Sequence, residues 1–116
     1  MLTDKEVYEY HGWREQCKHI TSEIYELTEA IHDFEDAKNS IYTQDFDKLK
    51  HNISEEIADV EFMLNQIKEN YLIKEDNIKP WGCYKRKRET KRIKEGYYEQ
   101  DRKQSTRGDN ILPKEE

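Results

Sequence analysis

Four acidic residues occupy positions where a purely structural helix would place leucine. In HNISEEIADVEFMLNQI, His51 to Ile67, a wheel at about 100° per residue puts Ile53, Val60, Met63, Leu64 and Ile67 within about 80° of Glu56, with Ile57 just beyond. A carboxylate therefore lies inside the apolar stripe. The pattern already stands 33 residues earlier, where Ile20, Glu23, Ile24, Glu26, Leu27, Ala30, Ile31 and Phe34 correspond to Ile53, Glu56, Ile57, Asp59, Val60, Met63, Leu64 and Ile67. Residues three apart share a helix face, so Glu23 with Glu26, set against Glu56 with Asp59, would bring four carboxylates into one interhelical groove. Bare, such a group is costly, because like charges in a partly buried site raise one another's pKa. A hard dication resolves the conflict. Mg²⁺ takes oxygen ligands, keeps several waters and sits between carboxylates and substrate phosphates, and Mn²⁺ is the alternative ion. The pattern thus suggests a magnesium-phosphate site, in which one metal could polarise a phosphoryl oxygen and a second could hold a nucleophilic water.

The ordinary reading competes with this one. The chain has 26 acidic residues in 116, so acid-x-x-acid pairs arise by chance, and charge runs usually coat solvated faces. Matched placement inside both apolar stripes sets these four apart. Glu29, Asp33, Glu35, Glu55 and Glu61 read as solvated or supporting residues.

Basic and aromatic residues supply further candidates. Lys79 to Lys94 contains eight basic residues in sixteen, with Lys85, Arg88 and Arg92 on one helical face and Lys87, Lys91 and Lys94 on another. This segment has three readings: charge pairing with acidic helices, nucleic-acid binding with Trp81 and Tyr84 interleaved, or Lys85, Arg88 and Arg92 against the phosphates of a metal-held nucleotide. Trp13 and Gln16 could stack on and hydrogen-bond a base, although a tryptophan near an apolar stripe is more often core. His11, His19, His32 and His51 show no metal spacing with each other or with the cysteines. A Gly-rich phosphate loop, a nucleophile elbow and a zinc-protease signature are all missing from the sequence. Chemistry here would be carried by carboxylates and metal.

The elements that must position these residues are helices. Only four Gly and two Pro, few β-branched runs and the 3.6-residue period predict an all-α fold. Residues 1–12 suit a short helix capped by Thr3 or Asp4 and ended or kinked at Gly12. The first long stripe runs to about Phe34, Glu35 to Lys50 reads as a loop with room for one turn of helix, and the second stripe runs from about Asn52 to Tyr71, returning antiparallel. Asp76, Asn77, Pro80 and Gly82 suggest a break between Lys74 and Gly82, before a basic helix from Cys83 to about Gly96. The expected organisation is one helical domain over 1–96 and a polar tail over 97–116.

At 34% hydrophobic and 40% charged, a chain this short can bury roughly 65% of its unfolded surface and builds only a thin core. A second copy of the chain would cover the remaining apolar surface, so the bundle is expected to be completed by homo-oligomerisation, as a homodimer or homotetramer. The net charge of -6 carries no global bias toward nucleic acid, which is disfavoured as the partner. Cys17 and Cys83 form no disulfide pattern. With neither a leader-like apolar stretch nor an 18-residue apolar run, the expectation is a cytoplasmic protein with no membrane partner.

SEIYELTEAI followed by HNISEEIADVEFMLNQI resembles the MazG-like all-α nucleoside triphosphate pyrophosphohydrolases, especially their short phage and prophage forms. KRKRETKRI, Lys85 to Ile93, is similar to the K-x-x-R-x-x-x-R-I ending of those forms, and Trp13 and Gln16 upstream of the first motif also fit. The resemblance covers roughly residues 5–95. It implies a magnesium-dependent cut between the α- and β-phosphates of a nucleoside triphosphate, giving the monophosphate and pyrophosphate, as housekeeping of the nucleotide pool. It implies Glu23, Glu26, Glu56 and Asp59 as metal ligands, a water activated by metal and a nearby carboxylate (Glu55 or Glu56), and Lys85, Arg88 and Arg92 on the leaving pyrophosphate. It also implies dimers or dimers of dimers. The chain departs from the family in having Ser22-Glu23 where Glu-Glu is common, in a longer linker between motifs, and in the segment after Gly96. A catalytically degenerate helical protein that binds nucleic acid or nucleotide through residues 79–94 is the alternative. A purely structural helical assembly is the third.

Overall fold

In a computed structural model, which describes residues 1–99, the chain forms α1 (Asp4–His11), α2 (Trp13–Lys38), α3 (Phe46–Asn70) and α4 (Glu75–Lys94), with no strand among the described residues. It divides into two compact units, Met1–Lys74 and Glu75–Glu116. The tail expected from residue 97 lies outside the described residues from 100 onward.

In the first unit, α1 starts with a capping box: the Thr3 hydroxyl accepts from the Glu6 backbone N–H at 3.1 Å, and the Thr3 N–H donates to Glu6 Oε1 at 2.9 Å. Gly12 ends α1 and begins α2. Its N–H donates to Tyr8 O at 2.9 Å while its carbonyl accepts from Gln16 N–H at 3.0 Å. Its φ of 86° and ψ of 153° belong to a region essentially reserved for glycine. Space around it is open, so the requirement is on the backbone.

The helices α2 and α3 are antiparallel. Gln16 near the start of α2 bonds Gln66 near the end of α3 at 2.6 Å, and Phe34 near the end of α2 meets Phe46 at the start of α3, ring centroids 5.4 Å apart. Short α1 docks through Tyr8, whose hydroxyl is 2.8 Å from that of Tyr71, and through Lys5 N–H donating to Glu69 Oε1 at 3.2 Å. Tyr8, Ala30, Ala37 and Met63 are the buried apolar residues, with Gln16 and Gln66 buried among the polar ones. The core is thin, as the composition requires.

Both long helices extend into the segment read as a loop. The connection is only Asn39 to Asp45. Buried Ala37 and the Phe34–Phe46 contact extend the apolar seam beyond the periodic stripes, and Asp45 caps α3 by accepting from Lys48 N–H at 3.1 Å. Ser54 sits within α3 and donates to Lys50 O at 3.1 Å.

In the second unit, α4 runs through Pro80 and Gly82 rather than beginning after them. Proline removes one backbone donor from a helix interior, and the glutamate and aspartate of the first turn suit a start at Glu75. Its end is a Schellman turn with Gly96 at φ 73°: Tyr97 N–H donates to Arg92 O at 2.9 Å and Gly96 N–H to Ile93 O at 3.2 Å. Cys17 and Cys83 are free and exposed. No described helix is long and apolar enough to cross a membrane.

The end of α3 repeats the Schellman pattern, with Ile73 N–H on Lys68 O at 2.9 Å and Leu72 N–H on Glu69 O at 3.3 Å, but it places Leu72 at φ 55°. A Cβ in that conformation costs about 1–2 kcal/mol, and the Leu72 side chain is 78% exposed. Urea denaturation is therefore expected to show Leu72→Gly more stable than wild type by about 1 kcal/mol, while Gly12→Ala loses about 1–3 kcal/mol.

Candidate metal centre

The register of α2 against α3 decides which acids meet. Glu23 and Glu26 project from the middle of α2, Glu56 and Asp59 from the middle of α3, and one carboxylate oxygen from each lies within 4.8 Å of the others. Glu23 and Glu56 are the inner acids of this group, Glu26 and Asp59 the outer ones. Asp59 is the largest charged influence on Glu23, and Glu26 on Glu56. Glu23 and Glu56 are partly buried, Glu26 and Asp59 exposed.

Burial raises the Glu23 pKa above its ordinary value, and the charges of Asp59 and Glu26 raise it further, while His19 pulls it down. Glu56 is raised by burial first, then by Glu26, Asp59, Glu23 and Glu55. One oxygen of each inner acid, Glu23 Oε1 and Glu56 Oε1, is buried with no hydrogen-bond partner. Unpartnered buried carboxylate oxygens are costly, and a cation among four oxygen donors would satisfy both. An all-oxygen donor set of this kind suits a hard divalent cation rather than a soft metal.

The other sequence candidates fall in different places. Glu55 is exposed on α3, outside the four-carboxylate group, and touches the site through its charge on Glu56. Trp13 is exposed at the start of α2, with the Arg14 guanidinium 4.8 Å above its ring centroid. Gln16 is 3% exposed and gives its amide N–H to Gln66, so it serves the core of the first unit. Lys85, Arg88 and Arg92 lie on α4, in the second unit, with Arg88 stacked over Tyr84 at 5.4 Å.

Sequence reasoning passed over His19. Its Nε2 lies 3.0 Å from Glu23 Oε2. The signal was present as an i,i+4 spacing on the same helix, but a search for histidines spaced as metal ligands does not detect a histidine that serves a carboxylate. Gln66 was also missed, since nothing in its local sequence shows that it will close on Gln16.

No family model, characterised protein or solved structure matches this chain.

Glu23 and Glu56 hold a proton more tightly folded than unfolded, so stability from these groups is greatest below the ordinary value of 4.5 and falls as pH rises past it. Removing one of the like charges relieves that loss. In metal-free buffer, Glu56→Gln is expected to melt higher than wild type near neutral pH, with the difference shrinking as pH is lowered to about 4; thermal melts across pH check it.

Proposed function

We propose that this chain is a Mg²⁺-dependent nucleoside triphosphate pyrophosphohydrolase that cleaves the α-β anhydride to give the monophosphate and pyrophosphate. The observation that carries this reading is the four-carboxylate group of Glu23, Glu26, Glu56 and Asp59, with two buried oxygens lacking a partner. The resemblance of both acidic motifs to the MazG-like enzymes supports it. Mn²⁺ would fit the same donors.

The four acids would hold the ion, which when bound supplies the positive charge that polarises a phosphoryl oxygen and acidifies a water. The chain's own groups do the rest. Water oxygen forms a bond to the α-phosphorus as the bond to the bridging oxygen breaks, and the pyrophosphate leaves with that electron pair. Glu55 or Glu56 accepts the proton of the attacking water. Trp13 would stack on the base.

A second copy of the chain completes the assembly in this reading, as a homodimer or homotetramer. Ile24, Ile31, Ile57 and Leu64, all from the two matched stripes, are exposed in the single chain, and apolar surface of that extent favours association.

A second reading rests on α4. This helix has no buried residue, carries eight basic residues against three acidic, and exposes Trp81 and Tyr84. Such a helix could track a nucleic-acid backbone while its aromatic residues stack on bases. RNA or DNA affinity that falls steeply with salt, and is lost on Lys85/Arg88/Arg92→Ala, would favour it.

The deciding assay is pyrophosphate release from canonical and modified (d)NTPs, with Mg²⁺ and with EDTA. Metal-dependent release from one or a few nucleotides is expected, with Glu56→Gln and Asp59→Asn folded but inactive. Normal turnover in either variant would refute the site assignment, and a folded wild-type chain that releases none would refute the activity.

A further inference from the structure

We propose that His19 is a positioning residue for the metal centre, holding one oxygen of Glu23 so that the other stays turned into the carboxylate group. The inference rests on the metal-binding reading above and adds to it a residue outside the four ligands.

His19 lies one helical turn before Glu23 on α2, and its Nε2 is 3.0 Å from Glu23 Oε2. The Glu23 side chain is only 14% exposed, and its second oxygen, Oε1, is the buried atom with no partner. The terminal torsion of a glutamate is broad and roughly two-fold, so nothing intrinsic to the side chain fixes the plane of its carboxylate. A donor on one oxygen does. The neutral imidazole carries one N–H, and placing it on Nε2 for Glu23 leaves Nδ1 as an acceptor.

His19 itself is half exposed and lines an open cavity of about 400 Å³ with His11, Glu15, Gln16, Lys18 and Ser22. It therefore touches both that cavity and Glu23. The 33-residue register that aligns Glu23 with Glu56 also aligns His19 with Asn52, so an N–H donor stands one turn before the inner acid on both helices. Carboxylates that bind metals are commonly held by hydrogen bonds of this kind.

A plain surface pair would stabilise α2 slightly and leave ion binding alone. Mn²⁺ affinity of the full-length chain, read by electron paramagnetic resonance or calorimetry, separates the two roles. His19→Ala is expected to weaken Mn²⁺ binding about tenfold or more, with metal-free melting and far-UV circular dichroism unchanged. His19→Gln, which keeps an N–H within reach of residue i+4, is expected to stay within about threefold of wild type. Equal affinity in wild type and His19→Ala would overturn the positioning role and leave the metal centre standing. Tighter binding in His19→Ala would overturn it too, because the imidazole would then be competing with the ion for Glu23. A wild-type chain that does not bind Mn²⁺ would overturn the metal reading itself, and this inference with it.

Discussion

The first unit depends on one constraint, the register of α2 against α3. Four like charges meet at the middle of this helix pair, where electrostatics alone would push the helices apart. Packing at the two ends opposes that push. The Gln16–Gln66 hydrogen bond lies at one end, beside the fully buried Met63, and the Phe34–Phe46 edge contact lies at the other. Ends so fixed leave the carboxylates little freedom to separate, and burial first, then the neighbouring charges, raise the proton affinity of the two inner acids.

The same thin core that gives the unit its limited stability leaves apolar side chains of both stripes at the surface. Within one stripe, then, some positions serve the interior, some the carboxylate group, and some remain uncovered. The face of α3 shows this division: Met63 is buried, Glu56 is partly buried at the site, and Ile57 and Leu64 are exposed. For a chain of high charge and few apolar residues, surface shared with a second copy is an economical source of additional burial, which is why the proposed activity and the proposed assembly belong together.

Element type was legible because it is a local property. The 3.6-residue period of the stripes, the capping box at Thr3 and the turn at Gly12 each depend on neighbours within a few positions. Boundaries were less legible. Residues 35–38 and 46–50 look like loop by composition, yet they are helical because Phe34, Ala37 and Phe46 pack across the hairpin and Asp45 caps the new start. Pro80 and Gly82 look like a break, yet α4 continues through them. In the hairpin, a long-range contact overrode a local preference.

For the site, the sequence by itself determined which acids share a helix face and that two such faces match at a separation of 33 residues. Those facts follow from covalent order and helical geometry. Only the tertiary structure decided that the four acids converge, that Glu23 and Glu56 each keep a buried oxygen without a partner, and that Gln16 turns to the core while His19 turns to Glu23. Those outcomes depend on the antiparallel register, which is fixed by side chains fifty and twelve residues apart in the chain. No window short enough to show periodicity contains both Gln16 and Gln66.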